Sequence, residues 1–177
     1  MKYAILLAIA ALTLASCSTK IDTRVMSSGA QNAAAARYIL VPPAQLASPA
    51  YDQAGALVTQ KLSAMGYEAA QDGSLYLEVG IASRPASLAL KEAGKLLGPA
   101  STKRGSSRCK WNEYRLTVAL TRIADGAEIY RGAAGEYHCK ENIETVLPLL
   151  VDAALADLGN PKGEYVNSRW VKRPLFQ

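Results

Sequence analysis

The sequence predicts an α+β fold: a two-layer sandwich in which a mostly antiparallel sheet of four to five strands carries two helices, in the order β-α-β-β-β-β-α. Three observations carry this reading. Leu75, Leu77, Val79 and Ile81 alternate with polar or small neighbours, and so do Tyr114, Leu116, Val118 and Leu120. Such alternation is the mark of a half-buried strand. Two other stretches repeat their apolar residues at helical spacing. Asp125-Gly126, between two β-rich runs, is a hairpin turn signal.

The elements follow in order. Arg37 to Val41 is short and β-rich, and Pro42-Pro43 stops it. Ser48-Pro49 has the form of an N-cap followed by proline at the first helical position. Tyr51, Ala54, Val58, Leu62 and Met65 continue at helical spacing, and Gly66 supplies a C-terminal cap. Tyr67 to Ala70 reads as a short strand, with Asp72-Gly73 as its turn. The strand from Leu75 comes next, and then a long basic segment. Trp111 to Tyr137 reads as a hairpin. Ile123 and Ile129 fall out of phase with its stripe, which a bulge near the turn would reconcile. Ile143, Val146, Leu147, Leu150, Ala154 and Leu158 line a second helix, in which Pro148 should kink or break the first turns. Gly159-Asn160-Pro161 ends it.

The amino terminus reads as an address. Met1-Lys2 is followed by an apolar run from Tyr3 to Leu14, too short for a transmembrane helix, which needs about 20 apolar residues. Leu14-Ala15-Ser16-Cys17 closes the run and resembles the lipobox of bacterial lipoproteins, in which the Cys is acylated and becomes the first residue. Two or more acyl chains anchor stably, at about 0.8 kcal/mol per buried CH₂. The alternative is an ordinary secretory signal with an incidental Cys17. Ser18 stands where Asp usually retains Gram-negative lipoproteins in the inner membrane, so the pattern is that of sorting to the outer membrane. The organisation expected is a signal peptide at 1–16, a lipidated (palmitate-bearing) Cys and flexible tether at 17–36, a domain at 37–159 with a basic insertion at 84–110, and a basic, aromatic tail at 160–177.

Composition narrows function. The chain has 177 residues, 20 Lys+Arg against 15 Asp+Glu, one His and three Cys. That length suits one domain. The positive excess is too small for an evident nucleic-acid binder, and one His with three Cys offers little for a metal site. No cofactor is expected. With Cys17 spent on lipid, Cys109 and Cys139 remain, an even pair in an oxidising compartment. Both fall near the open end of the hairpin, where a disulfide would close a loop of about 30 residues and add roughly 2–4 kcal/mol. The functional alternative is a reactive Cys139 beside His138. Adjacent residues in a strand point to opposite faces, which disfavours such a dyad.

Taken together, the lipobox, Tyr38-Ile39-Leu40-Val41-Pro42-Pro43, the first helix and the hairpin strand Ile129-Tyr130-Arg131-Gly132 resemble a family of small Gram-negative lipoproteins, domain of unknown function 4136. The spacing at Asp125-Gly126-Ala127-Glu128 departs slightly from that family's hairpin motif. The resemblance covers about Arg37 to Leu158. It implies an envelope location and this fold, and it supplies no catalytic residue.

Charge is unevenly placed. Arg84, Lys91, Lys95, Lys103, Arg104, Arg108 and Lys110 face only Glu92 within the insertion. The tail adds Lys162, Arg169, Lys172 and Arg173, with Tyr165, Trp170 and Phe176. Ser87 to Leu97 could form a short helix, weakened by Gly94 and Gly98. The insertion is a candidate contact surface for an anionic envelope component: a protein, peptidoglycan or anionic lipid. Its bland alternative is a solvated loop. The tail either packs back onto the domain or engages a partner. No nucleophile elbow, phosphate loop or zinc spacing is present. The expectation is a non-enzymatic, lipid-anchored adaptor facing the periplasm at the outer membrane. A cleft binder of a small or lipidic ligand is the alternative, and a carboxylate-based hydrolase a more distant one.

Overall fold

The computed structural model describes residues 18–42, 48–92, 95–98, 100 and 109–172. Two helices and nine strands are formed among them: β1 (Ser18–Gly29), β2 (Arg37–Leu40), α1 (Pro49–Ala64), β3 (Glu68–Ala69), β4 (Leu75–Pro85), β5 (Leu90–Glu92), β6 (Lys95–Gly98), β7 (Asn112–Arg122), β8 (Glu128–His138), α2 (Ile143–Leu155) and β9 (Gly163–Lys172). The fold is α+β, as expected. The sheet has seven strands, in the order β3-β2-β4-β7-β8-β1-β9, and it is mixed. β2 runs parallel to both β3 and β4, because α1 carries the chain back to the start of the sheet. β4, β7, β8 and β1 are successively antiparallel. The chain divides into two compact units. One is Asp22–Asn167. The other holds, among the described residues, β1 up to Ile21 and β9 from Ser168.

Two expectations are corrected. The flexible tether at 17–36 is mostly strand: β1 begins at Ser18 and pairs with β8 from Thr23 to Gly29. β1 hides from the sequence because its inward residues are Thr23, Val25 and Ser27. Two of these three are polar, and they are buried because they hydrogen-bond to buried acids (below). The tail at 160–177, which the sequence left either packed back or partner-bound, contributes β9, an edge strand of the sheet. The short helix expected at Ser87–Leu97 is replaced by a separate β5–β6 hairpin, with Glu92 opposite Lys95. Glycines at 94 and 98 disfavour helix, and tertiary pairing decides the rest.

The core lies between the helices and one face of the sheet. Leu77, Leu116, Val118, Leu120 and Tyr130 meet Val58, Leu62, Leu147, Leu150 and Ala154 there. Ser48 caps α1, its Oγ accepting from the Tyr51 amide at 3.2 Å, with Pro49 at the first turn. The bulge expected near the β7–β8 turn is present as a register shift at Leu120/Thr121. Pro148 sits inside α2 without ending it. Proline lacks the N–H that would bond the Glu144 carbonyl four residues back. Gln53 Nε2 of α1 donates to that carbonyl at 3.2 Å instead. Gly132 of β8 lets α2 approach closely: a Cβ there would lie 1.9 Å from the Ala154 carbonyl oxygen.

Candidate functional site

The polar chemistry of Asp22–Asn167 gathers where β7 and β8 meet α2. Cys109 and Cys139 are disulfide-bonded, with Cα atoms 5.3 Å apart, and tie the open end of the β7–β8 hairpin. On β8 the inward stripe of Tyr130, Gly132 and Ala134 continues to Glu136 and His138, since alternate residues share a face. Both are buried, Glu136 fully and His138 at 3% exposure.

These side chains form one chain of contacts. Thr23 Oγ1 donates to Glu136 Oε1 at 2.5 Å. His138 Nε2 lies 2.7 Å from Glu136 Oε2, and Nδ1 lies 3.3 Å from Glu141 Oε2. Tyr114 stacks on the imidazole and its hydroxyl donates to the Glu141 carbonyl at 2.9 Å. Burial pushes the Glu141 carboxyl up. Hydrogen bonds from backbone amides and the His138 imidazole outweigh it and hold the carboxyl below its ordinary value. Both nitrogens of the single His thus face carboxylates. The inward phase of β8 carries His138 into the core. The arrangement fastens β1, β8 and the start of α2 to one another.

A second buried acid acts similarly. Asp157, just after α2, accepts from Ser27 Oγ at 2.9 Å and pairs with Lys162 Nζ at 2.8 Å. The Lys162 amide donates to Ser27 Oγ at 2.9 Å. Burial raises the Asp157 carboxyl, but hydrogen bonds from Lys162, Tyr165 and Ser27 prevail and keep it below its ordinary value. Burial and the bond to Asp157 push the Tyr165 hydroxyl up to about 12.

The described members of the expected contact set sit on different elements. Arg84 is not offered to solvent. It pairs with buried Glu113 on the opposite sheet face, its Nε donating at 2.5 Å, and also donates to the Leu88 carbonyl. Arg115 approaches the same carboxylate at 3.6 Å. A buried carboxylate in the neighbouring strand explains why this arginine is consumed. Lys91 and Lys95 fall on the β5–β6 hairpin, and Lys110 is exposed beside the disulfide. Cys17, Lys103, Arg104 and Arg108 lie outside the described residues. Sequence reasoning missed Thr23, Ser27, Glu113, Glu136 and Asp157. Extending the Tyr130–Ala134 alternation by two steps would have placed Glu136 and His138 inside.

At the other end of the β7–β8 hairpin an open cleft of 690 Å³ is lined by Ala33, Ala36, Leu75, Arg122, Ile123 and Ile129, among others. Arg122 at its rim pairs with Asp125 at 2.8 Å. Among the described residues no group of three His, Cys, Asp or Glu could hold a metal ion, and no helix is long and apolar enough to cross a membrane.

No protein-family model and no curated protein matches the chain, so the resemblance to the lipoprotein family rests on its motifs. Solved structures are similar in fold. A PDZ domain protein from Parabacteroides distasonis has a TM-score of 0.60 at 8% identity, over 91% of this chain and 41% of that one. PelC from Paraburkholderia phytofirmans, solved as a dodecamer, has a TM-score of 0.50 at 12% identity, over 82% of this chain and all of that one. A minor lipoprotein from Acinetobacter baumannii has a TM-score of 0.35 at 17% identity, over 66% of this chain and 83% of that one, too distant to bear on fold or location.

Proposed function

We propose that this protein is a non-catalytic, lipid-anchored binding module of the cell envelope, held by acylated Cys17 at the periplasmic face of the outer membrane. The observation that carries the non-catalytic part is the burial of His138 with both ring nitrogens against carboxylates. Such a histidine organises structure and has no free nitrogen for acid–base work. The anchor rests on Leu14-Ala15-Ser16-Cys17 and the apolar run before it. The contact surface is the basic segment without Arg84: Lys91, Lys95, Lys103, Arg104, Arg108 and Lys110. Its partner is an anionic envelope component.

The test is a cross-linking pull-down from intact cells, with the wild-type chain and a variant in which Lys91, Lys95, Lys103, Arg104 and Arg108 are replaced by Gln. The variant leaves Arg84 and the disulfide untouched. Loss of a specific, salt-sensitive partner is the expected result. Retention of every partner would remove the basic segment from the proposal. Labelled palmitate should enter the wild type and not Cys17→Ser. The second reading, a cleft binder, is favoured by the 690 Å³ cleft at Ala33 and Ile129. Ala33→Trp, which obstructs that cleft, would then weaken binding that the charge variant keeps.

A further inference from the structure

We propose that the strand pair beside Cys17 is itself a membrane-contacting surface, with Trp170 seated in the headgroup layer of the bilayer that holds the Cys17 lipid. This rests on the lipid-anchor reading and goes beyond it, because an anchor alone requires no protein contact with lipid.

The first observation is the absence of slack. β1 begins at Ser18, the residue directly after Cys17. An extended residue spans at most about 3.6 Å, so Ile21 lies within about 15 Å of the acylated residue. β9 is β1's neighbour in the sheet, and paired strands lie about 4.8 Å apart. β1 up to Ile21 and β9 from Ser168 belong to one compact unit. A lipid on Cys17 therefore brings this unit to the bilayer surface, where a long tether would have left it free.

The second observation is what the unit exposes. Trp170 is 69% exposed, and Val171 on the next position is 39% exposed. A solvated indole of that size is unfavourable in water. It is favoured at the bilayer interface, where its ring meets apolar chains and its N–H meets headgroups. The anchor sets the bilayer next to this unit whatever else the protein binds.

The experiment uses the full, acylated chain in vesicles of phosphatidylethanolamine and phosphatidylglycerol, containing phosphatidylcholine brominated either near the headgroup or deep in the acyl chain. The Trp170 signal is the difference between wild type and Trp170→Phe, which leaves Trp111 in both. Mass spectrometry of the amino-terminal peptide reports acylation independently. The expected result is a blue-shifted Trp170 emission quenched by about half by the shallow label and less by the deep one, because an interfacial indole sits at headgroup level. An acylated protein whose Trp170 emission is unshifted and unquenched overturns the membrane contact and leaves the anchor intact. Trp170 emission that shifts with protein concentration in the absence of vesicles assigns the surface to a second copy of the chain and overturns it as well. An amino-terminal peptide without acyl mass overturns both readings.

Discussion

Replacing His138 by Ala tests whether this histidine is structural. The imidazole is the 2.7 Å partner of Glu136 Oε2, and Glu136 is fully buried. Without it the carboxylate keeps the hydrogen bond from Thr23 Oγ1 and loses the imidazole as a buried partner. Breaking a buried pair in this way costs about 3–5 kcal/mol. The 3.3 Å contact to the half-exposed Glu141 carboxylate adds at most about 1 kcal/mol. Lost stacking on Tyr114 adds a similar amount. A total of about 5 kcal/mol is a large part of the 5–15 kcal/mol typical of a domain, and should lower Tm by roughly 10–20 °C in a chain of this size. The assay is urea unfolding followed by circular dichroism with the disulfide oxidised. Glu136→Gln in the His138→Ala background should recover part of the loss, because an amide tolerates burial without an ion partner. A cost below about 1 kcal/mol, or no recovery in the double variant, would refute the argument. Loss of partner binding at unchanged stability would give His138 a role in binding and overturn its purely structural reading.

Three other outcomes follow from the packing. Gly132→Ala places a Cβ 1.9 Å from the Ala154 carbonyl oxygen, to which Tyr130 Oη donates at 2.6 Å. α2 must lift, and the urea midpoint should report a loss of about 3 kcal/mol or more. Gln53→Leu leaves the Glu144 carbonyl without its donor, at about 1 kcal/mol by the same assay. Pro148→Ala restores a backbone N–H at that point, so the Gln53 effect should shrink in its presence. Asp157→Asn tests acid stability. The folded carboxyl lies below its ordinary value, so its contribution is present above the unfolded pKa of about 3.9 and is lost as pH falls through the folded value. The variant should be less stable at neutral pH, and its stability should fall less than that of the wild type below about pH 4.

Much of the molecule can be read locally. Ser48-Pro49, the spacing of Ala54, Val58 and Leu62, and the alternation of β4 and β7 each state their structure within a few residues, because capping and amphipathic periodicity are short-range. The disulfide was legible as well, because Asp125-Gly126 folds Cys109 and Cys139 back on one another. β1 was not. Its burial depends on Glu136, which donates nothing to a local pattern and is 113 residues from Thr23. Glu136 in turn looks like a surface acid until the phase of β8 is known.

The sequence by itself determined the α+β class, both helices, the hairpin with its bulge and the pairing of the two cysteines. Each of these follows from apolar period, turn chemistry or spacing. The tertiary structure decided the sheet's width, its mixed topology and the fate of its polar residues. Arg84 became an internal partner of Glu113, His138 a buried link to Glu136 and Glu141, and the stretch after Cys17 a strand. The physical reason is common to all three. A polar side chain enters a core only when a partner from another strand or helix meets it there, and such partners are distant in sequence and adjacent only after folding.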